Sequence, residues 1–262
     1  MRSDNTFLKK NKMDKINSIL IIPDIHGRIF WEKPFEEYAD KVDKIIFLGD
    51  YFDPYSYEDI DKFDMYSNFV KIMREYDKIP NKMILLLGNH DLHYITDKIS
   101  KSSRFNPFEK TAIYNLFKED IDAFQLAYEC EIDEKKYMFT HAGINRIWWN
   151  LVRRINSDAP EIPTAEYINS KFKEMDDKFI RCLDEIGHAR GGYSLNGSLI
   201  WSDISEFLNN EHFDGIYQIF GHTQLKEKEF VTTNFADLDV RKAFLLDKDG
   251  LHECNDEENK QQ

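Results

Sequence analysis

The sequence is poor in cysteine and contains no long apolar run. Its three cysteines, Cys130, Cys182 and Cys254, are widely spaced and form no CxxC pair, which fits neither a disulfide framework nor a zinc ribbon. We expect ordinary reduced thiols. Residues 1–18 are polar and rich in lysine, and the apolar run that follows is far shorter than a signal peptide or a membrane span requires. These absences predict a soluble, cytoplasmic protein without a membrane partner.

Positive charge is also scarce. The chain has 35 Lys and Arg against 48 Asp and Glu, which gives a formal net charge of −13. Because nucleic-acid backbones are held mainly by Lys and Arg, we expect no broad nucleic-acid binding. An acidic total does not exclude a phosphate ligand at a metal site, where the bound cations supply the positive charge.

The length of 262 residues suits one mixed domain, and the sequence contains no internal repeat. We expect a flexible N-terminal segment at residues 1–18, a single domain at 19–254 and a flexible tail at 255–262. The tail contains only polar and charged residues, so it has no apolar surface whose burial could offset the entropy cost of ordering.

Short apolar runs predict buried strands at 19–23, 44–48, 82–87, 137–140 and 216–220. Later runs predict further strands at 230–233, 243–246 and 251–254, with a turn at Asp249 and Gly250. Since few helices accompany these late strands, they indicate a second sheet.

Two segments have the periodicity of helices. Apolar residues recur at every third or fourth position from Ile60 to Tyr76, which predicts an amphipathic helix between the second and third strands. A longer helix is predicted to begin after Thr164, a suitable N-cap, and to stop at Gly187. The apolar stripe of this longer helix is expected to pack in the core.

Five polar strings each follow an apolar run: DIHG from Asp24, GDYFD from Gly49, GNHD from Gly88, THAG from Thr140 and FGHT from Phe220. Their side chains would emerge where a buried strand ends and a loop begins, which is where α/β enzymes place active sites. Together the strings supply carboxylates, imidazoles and one amide. This combination indicates a site for two divalent metals.

The first two strings can serve one cation. Asp24 and His26 stand two apart in an extended segment, so their side chains could point the same way. Asp50 follows a glycine at the end of the second strand, where a carboxylate can bridge two cations about 3.5 to 4 Å apart.

The other three strings can serve a second cation. Asn89 offers an amide oxygen after the third strand, and His141 and His222 each offer a nitrogen after a later strand. Singly, Asn89 could be a turn-capping amide and each histidine a hydrogen-bonded surface residue. The occurrence of all these candidate ligands at strand ends favours the metal interpretation.

The ordered set resembles the calcineurin-like metallophosphoesterase superfamily between Asp24 and Thr223. DxHG, GDYxD, GNHD and HAG are most similar to its serine/threonine protein phosphatase branch, as is LIWSD from Leu199. GNHDLH and HAGI also resemble the symmetrical dinucleoside tetraphosphatases. The resemblance implies an α/β fold in which two mixed β-sheets pack as a sandwich with helices outside, giving four layers.

The resemblance also implies a ligand set. Metal one would be bound by Asp24, His26 and Asp50, and metal two by Asp50, Asn89, His141 and His222, with Asp50 bridging. Many relatives end the last string with GHxH, whose second histidine completes metal one, but Gln224 stands there in this chain. Metal one is therefore expected to be the looser site, with water in the vacant position. The implied cofactors are two divalent ions, manganese first, with iron, zinc or magnesium as alternatives.

Catalytic roles are implied for His90 and Asp53. Metal-activated hydroxide would attack phosphorus in line with the departing oxygen. His90 would donate a proton to the leaving alkoxide, and Asp53 would orient His90. The ordinary alternatives are a surface imidazole for His90 and an Asx-turn residue for Asp53.

One expected phosphate ligand is missing. The protein phosphatase branch usually continues GDYVD with Arg-Gly, whereas this chain has Pro54 and Tyr55. Arginines in or near the motif loops could replace that bidentate grip; they are Arg28, Arg146 and Arg190. Arg190 ranks first because two glycines follow it and leave it room to approach a substrate.

The sequence therefore predicts a binuclear metal-dependent hydrolase of phosphoric esters that acts on a phosphomonoester. Its partner would be a phosphorylated substrate: a phosphoprotein, a small phosphoester or a nucleotide. Dinucleoside polyphosphate hydrolysis and phosphodiester hydrolysis are the alternatives, and a metal-stabilised binding scaffold without turnover is a more distant one. Such a scaffold would be expected to lose the proton donor or the bridging carboxylate, and both His90 and Asp50 are present.

Overall fold

The computed structural model describes residues 13–208 and 210–254. Its strands are β1 Asp14–Lys15, β2 Ser18–Ile22, β3 Lys44–Phe47, β4 Met83–Leu86, β5 Phe124–Gln125, β6 Ala127–Ile132, β7 Lys135–Thr140, β8 Ile216–Phe220, β9 Phe230–Val231, β10 Phe235–Asp237, β11 Phe244–Asp247 and β12 Gly250–Glu253. Its helices are α1 Glu32–Tyr38, α2 Lys62–Lys78, α3 Asn89–Ile95, α4 Lys110–Glu119, α5 Arg146–Ile155, α6 Ala165–Lys173, α7 Asp177–Leu183 and α8 Ile204–Leu208, with 3₁₀ turns at Ile121–Ala123 and His188–Arg190.

The strands form two mixed sheets of six strands each. The first sheet has the order β12-β11-β2-β3-β4-β5 and the second has the order β1-β6-β7-β8-β10-β9. In the first sheet β2, β3, β4 and β5 run parallel, and β11 is antiparallel to β2. In the second sheet β7, β8 and β10 run parallel. The α/β class with two mixed sheets is thus confirmed.

The two sheets pack face to face. Ile19 and Ile21 of β2 belong to one buried cluster with Phe139 of β7 and Ile219 of β8. Leu20, between them on β2, belongs instead to the cluster that includes residues of α2 and α4. This is the alternation of side chains that a strand imposes. The result is a sandwich with helices outside, as predicted.

Most of the predicted strands are present. The last two, β11 and β12, were expected in the second sheet but belong to the first. β8 and β9 belong to the second sheet, whereas β11 returns to the first sheet and places Phe244 opposite Ile21. β1, β5, β6 and β10 were not predicted. β1 and β5 have two residues each, which is too short for a periodic signal.

The predicted amphipathic helix is confirmed as α2, which begins where the Asp61 carboxylate accepts hydrogen bonds from two backbone N–H groups. The predicted single helix from Thr164 to Gly187 is wrong. Thr164 does cap α6, but Met175 has a φ of 50°. The Asp176 carboxylate then caps α7. Local capping divides a continuous apolar stripe into two helices.

The predicted domain boundaries stay a prediction. Residues 1–12 and 255–262, which make up most of the predicted flexible ends, lie outside the described residues. Asp14 and Lys15, also in the predicted flexible segment, pair with β6. None of the helices within 13–208 and 210–254 has the length and the apolar composition of a membrane span.

Candidate active site

The candidate metal ligands lie at the carboxyl ends of strands from both sheets. Asp24 and His26 follow β2, Asp50 follows β3, Asn89 begins α3 after β4, and His141 and His222 follow β7 and β8. All are buried apart from His222, which is partly exposed. These candidate ligands form two groups whose ligand atoms lie within 4.8 Å of one another: Asp24, His26 and Asp50, and Asp50, His141 and His222.

Asp50 belongs to both groups, and its carboxylate faces both. Its Oδ2 lies 3.5 Å from Nε2 of His26 and also 3.5 Å from Nε2 of His141. Its Oδ1 accepts a hydrogen bond of 2.9 Å from the backbone N–H of His90. A single carboxylate therefore stands between two imidazole nitrogens, in the position that a bridging ligand needs.

The two histidines beside Asp50 are oriented by backbone carbonyls. Nδ1 of His26 lies 2.7 Å from the carbonyl oxygen of Phe52, and Nδ1 of His141 lies 2.9 Å from that of Leu48. A carbonyl oxygen can only accept, so each Nδ1 donates to its carbonyl and each Nε2 faces the centre. Burial lowers the pKa of His26, which keeps its ring neutral and able to bind a metal.

Two further candidate ligand atoms lie beside His141. Its Nε2 lies 3.2 Å from Oδ1 of Asn89 and 3.1 Å from Nδ1 of His222. Oxygen and imidazole ligands in this combination suit manganese, iron or zinc. The residues present therefore fit a centre for two divalent ions.

Burial raises the pKa of Asp24 and of Asp50, and neighbouring carboxylates raise both further: Asp50 acts on Asp24, whereas Asp53 and Asp239 act on Asp50. Buried carboxylates need compensating positive charge. Bound cations would supply that charge and displace the protons, so the electrostatics of the site favour metal binding.

Several site residues have an uncommon backbone conformation. His26, Asp50, Asp53 and His222 have φ angles of 45°, 53°, 58° and 71°. Non-glycine residues in this left-handed region carry local strain, which the surrounding structure must hold in place. The sharp turns aim these side chains inward from the strand ends.

Asp91 holds two loops of the site together. Its carboxylate accepts hydrogen bonds from the backbone N–H groups of Asp50, Tyr51 and Gly88, at 2.7, 2.8 and 2.9 Å. It thereby ties the loop after β3 to the loop after β4. The sequence analysis missed this role, although Asp91 belongs to the GNHD string.

Two glycines leave room for the ligands. A Cβ on Gly88 would lie 2.1 Å from Oδ1 of Asp50 and 2.7 Å from Cε1 of His141. A Cβ on Gly221 would lie 2.3 Å from Oδ1 of Asp24. Any side chain at either position would displace a candidate ligand.

His90 and Asp53 form a buried pair beside the centre. Nδ1 of His90 lies 2.8 Å from Oδ2 of Asp53, and the hydroxyl of Tyr94 donates to Oδ1 of Asp53 over 2.6 Å. Burial lowers the pKa of His90 to about 4. Burial alone would raise the pKa of Asp53, but hydrogen bonds from His90 and His93 outweigh it and leave that pKa lowered. Asp53 is thus a carboxylate that holds the Nδ1 proton of His90.

His93 and Tyr94 are contributors that the sequence analysis missed. The backbone N–H of Ser102 donates to Nδ1 of His93, so the proton of the neutral ring lies on Nε2, 2.9 Å from Oδ2 of Asp53. His90, His93 and Tyr94 stand three and four residues apart on α3, which places them on one face. That spacing in GNHDLHY was the available signal.

Arg104 was also missed, and it lies beside both His26 and the His90–Asp53 pair. Its Nε donates to the carbonyl oxygen of Asp53 over 2.8 Å. Its Nη2 lies 3.2 Å from Nε2 of His26 and 3.3 Å from Nε2 of His90. Its guanidinium carbon lies 3.8 Å from the centre of the Tyr55 ring. Arg104 belongs to none of the five strings, so the sequence carried no signal for it.

Residues 18–225 match the family model of the calcineurin-like phosphoesterases. The chain belongs to this family. It is thus a hydrolase of phosphoric esters, as the resemblance of the five strings implied. No curated protein sequence matches the chain.

Solved structures that resemble this phosphoesterase include two phosphoesterases and a serine/threonine phosphatase. A serine/threonine phosphatase from Saccharomyces cerevisiae is 14% identical with a TM-score of 0.45, over 90% of this chain and 76% of that one. An archaeal phosphodiesterase is 13% identical with a TM-score of 0.35, over 90% and 98% of the two chains. A metallophosphoesterase from Sphaerobacter thermophilus is 15% identical with a TM-score of 0.37, over 92% and 88%. Likenesses this distant carry no argument about substrate.

Two of the three predicted arginines lie beside the centre of the phosphoesterase. Nη2 of Arg190 donates to Oγ1 of Thr223 over 2.8 Å, and its Nε lies 3.0 Å from Oδ2 of Asp203. Nε of Arg28 donates to Oε1 of Glu58 over 2.8 Å, and Nη1 donates to the carbonyl oxygen of Asp24 over 3.3 Å. Both side chains already have a carboxylate partner.

Arg146 has different neighbours. It begins α5, its Nη2 donates to the carbonyl oxygen of His212 over 3.0 Å, and its Nε lies 3.6 Å from Oε2 of Glu211. Its guanidinium also lies over the ring of Phe213. Within 13–208 and 210–254, these contacts do not include a candidate metal ligand or His90.

Proposed function

We propose that this phosphoesterase hydrolyses a phosphomonoester at a binuclear metal centre. The observation that carries the proposal is the position of Asp50 Oδ2, 3.5 Å from Nε2 of both His26 and His141. The first ion would be held by Asp24, His26 and Asp50. The second would be held by Asp50, Asn89, His141 and His222.

Two divalent ions in such a centre supply a nucleophile from bound water and neutralise the phosphoryl oxygens. The chain itself supplies the proton for the leaving oxygen. Because Asp53 accepts from Nδ1 of His90, the remaining nitrogen, Nε2, is the atom that can carry a transferable proton. The pKa of His90 is lowered to about 4 by burial, and an anionic phosphate beside the ring would favour the charged imidazolium.

Arg104 is proposed as the residue that binds a phosphoryl oxygen in place of the arginine absent after Asp53. Its Nε bond to the Asp53 carbonyl and its stacking on Tyr55 hold the stem of the side chain. Its Nη2 then lies beside His90, the proposed proton donor. The contacts of Arg104 with described residues involve a carbonyl, imidazoles and a ring, and none is with a carboxylate.

Arg28 and Arg190, in contrast, are each paired with an acidic side chain. A guanidinium without such a pair retains more of its charge for an anionic substrate. A phosphomonoester carries one more negative charge than a diester, so the added cation supports the monoester assignment. The natural substrate could still be a phosphoprotein, a small phosphoester or a nucleotide, and manganese and a cytoplasmic location stay predictions.

A comparison of aryl phosphates tests the proposal. The purified protein is assayed with manganese, iron, zinc and magnesium in turn against p-nitrophenyl phosphate and bis-p-nitrophenyl phosphate. We expect a higher kcat/KM for the monoester, and no turnover by Asp50→Asn although circular dichroism shows it folded. A preference for the diester, or for symmetric cleavage of a dinucleoside tetraphosphate, would reverse the substrate assignment. Absence of hydrolysis with every metal would refute the function.

A further inference from the structure

The two candidate metal sites are unequally supplied with ligands. The second ion has four candidate protein ligands, whereas the first has Asp24, His26 and Asp50. Gln224, near the first site in sequence, does not fill the gap. Its side chain is exposed, and its Nε2 lies 3.4 Å from the hydroxyl of Tyr57.

A buried carboxylate without a partner lies in the same region. Asp239 is 3% exposed, and within the described residues its carboxylate accepts no hydrogen bond and forms no ion pair. Its main chain is fixed on both sides: its N–H donates to Oδ1 of Asp237 over 3.1 Å, and its carbonyl accepts from the N–H of Leu225 over 2.9 Å. Asp239 therefore stands on the segment that packs next to Gln224.

Asp239 and Asp24 line the same side of Gly221. The point where a Cβ of Gly221 would lie is 2.3 Å from Oδ1 of Asp24 and 3.8 Å from Cβ of Asp239. Burial raises the pKa of Asp239 well above its usual range, and the Asp24 carboxylate raises it further. The positive charges of Arg28 and Arg241 lower it only in part.

Two buried carboxylates beside one another are unfavourable without a cation. An unpaired buried charge destabilises the folded state, and a hydrogen bond could offset part of that cost. No such bond reaches the carboxylate of Asp239 from residues 13–208 or 210–254. A divalent ion next to Asp24 would compensate both charges.

We propose that the Asp239 carboxylate is the fourth protein side chain that holds the first metal ion, together with Asp24, His26 and Asp50. The inference rests on the binuclear centre of the proposed function. The Asp239 carboxylate lies outside the 4.8 Å group of the other three. A side-chain rotation or a bound water would therefore complete the contact, and both arrangements predict the same loss when the charge is removed.

The test is manganese binding by the full-length Asp239→Asn variant, measured by isothermal titration calorimetry after chelator treatment. We expect two sites in the unmodified protein. In the variant we expect the weaker site to lose about tenfold or more in affinity and the tighter site to keep its affinity. Asp249→Asn is the matched control, because it removes the same charge from an exposed turn. It should bind both ions normally.

Thermal unfolding distinguishes a metal ligand from a structural residue. Asp239→Asn should raise the melting temperature of the metal-free protein, because an amide avoids the burial cost and the repulsion from Asp24 that a carboxylate carries there. The variant should also show a smaller increase in melting temperature with manganese. A fall in melting temperature of equal size with and without manganese would overturn the inference, as would unchanged affinity at both sites. If the unmodified protein binds fewer than two ions, the proposed function itself fails.

Discussion

Replacement of Arg104 by alanine tests the proposed phosphate contact directly. The substitution removes the guanidinium. This group stacks on Tyr55, and its Nη2 lies 3.3 Å from Nε2 of His90. It leaves the proposed metal ligands and the His90–Asp53 pair in place. The expected defect is therefore in substrate binding and in the stabilisation of charge on the phosphoryl group.

The size of the effect follows from the type of contact. A hydrogen bond to a charged group contributes about 1.5 to 3 kcal/mol. Since about 1.4 kcal/mol corresponds to a tenfold change, kcat/KM for an aryl phosphate should fall about 10- to 150-fold. The inhibition constant of inorganic phosphate should rise by a similar factor, because phosphate presents the same oxygens.

Metal binding supplies a second readout. Nη2 of Arg104 lies 3.2 Å from Nε2 of His26, so removal of this positive charge should leave manganese affinity unchanged or increase it. Arg104→Lys should restore part of the activity, because it returns the charge but not the planar fork. Arg146→Ala is the matched control, since Arg146 contacts Glu211 and His212 instead.

Two results would refute the reasoning. If Arg104→Ala keeps kcat/KM and the phosphate inhibition constant within twofold of the unmodified values, Arg104 does not bind the phosphoryl group. If it loses manganese stoichiometry, its role is to build the metal centre and not to hold substrate. A larger defect in Arg190→Ala or Arg28→Ala would return the role to a residue ranked from the sequence.

Three further outcomes are expected. His90→Ala should bind two manganese ions while kcat falls about 10²- to 10⁴-fold; an unchanged kcat would remove His90 from catalysis. Gly88→Ala should lose manganese at both sites by elemental analysis, because its Cβ would lie 2.1 Å from Oδ1 of Asp50, and Gly215→Ala, in open space, should keep both ions. Burial raises the pKa of Asp50 to about 8. Between about pH 7.5, where nearly all unfolded histidines are neutral, and pH 8, the folded metal-free protein therefore binds a proton that the unfolded chain does not. Its free energy of unfolding in urea should therefore fall across this window, whereas the manganese-loaded protein should show a smaller slope, and equal slopes would contradict the assignment.

The elements that the sequence predicted well are those with strong local signals. β2, β3 and β4 are continuous apolar runs, and α2 has both an apolar stripe and the Asp61 cap. The error at residues 164–187 arose because the apolar stripe continues across a break. The turn at Met175 and the cap at Asp176 decided the local structure, and neither alters the spacing of apolar residues.

The residues of the candidate site also differ in whether the sequence could predict them. Its ligands stand in short strings after strands, so their proximity could be predicted from the rule that ligands gather at the carboxyl ends of parallel strands. Arg104 could not be found by that rule, because it reaches the site from the loop before α4 and its partners lie far away in sequence. The sequence analysis did not identify Asp239 either, because it is a single acid after β10, a strand that the sequence did not predict.

The centre joins the two sheets. Asp24, from the first sheet, accepts hydrogen bonds of 3.1 and 3.2 Å from the backbone N–H of His222, which follows β8 of the second sheet. His141, from the second sheet, donates to the carbonyl of Leu48 in the first. Because Asp50 faces ligands from both sheets, its position depends on how the sheets pack as well as on its own loop. The inter-sheet core that contains Ile21 and Ile219 thus sets the separation of the ligands, and ions bound between the sheets would in turn stabilise that packing.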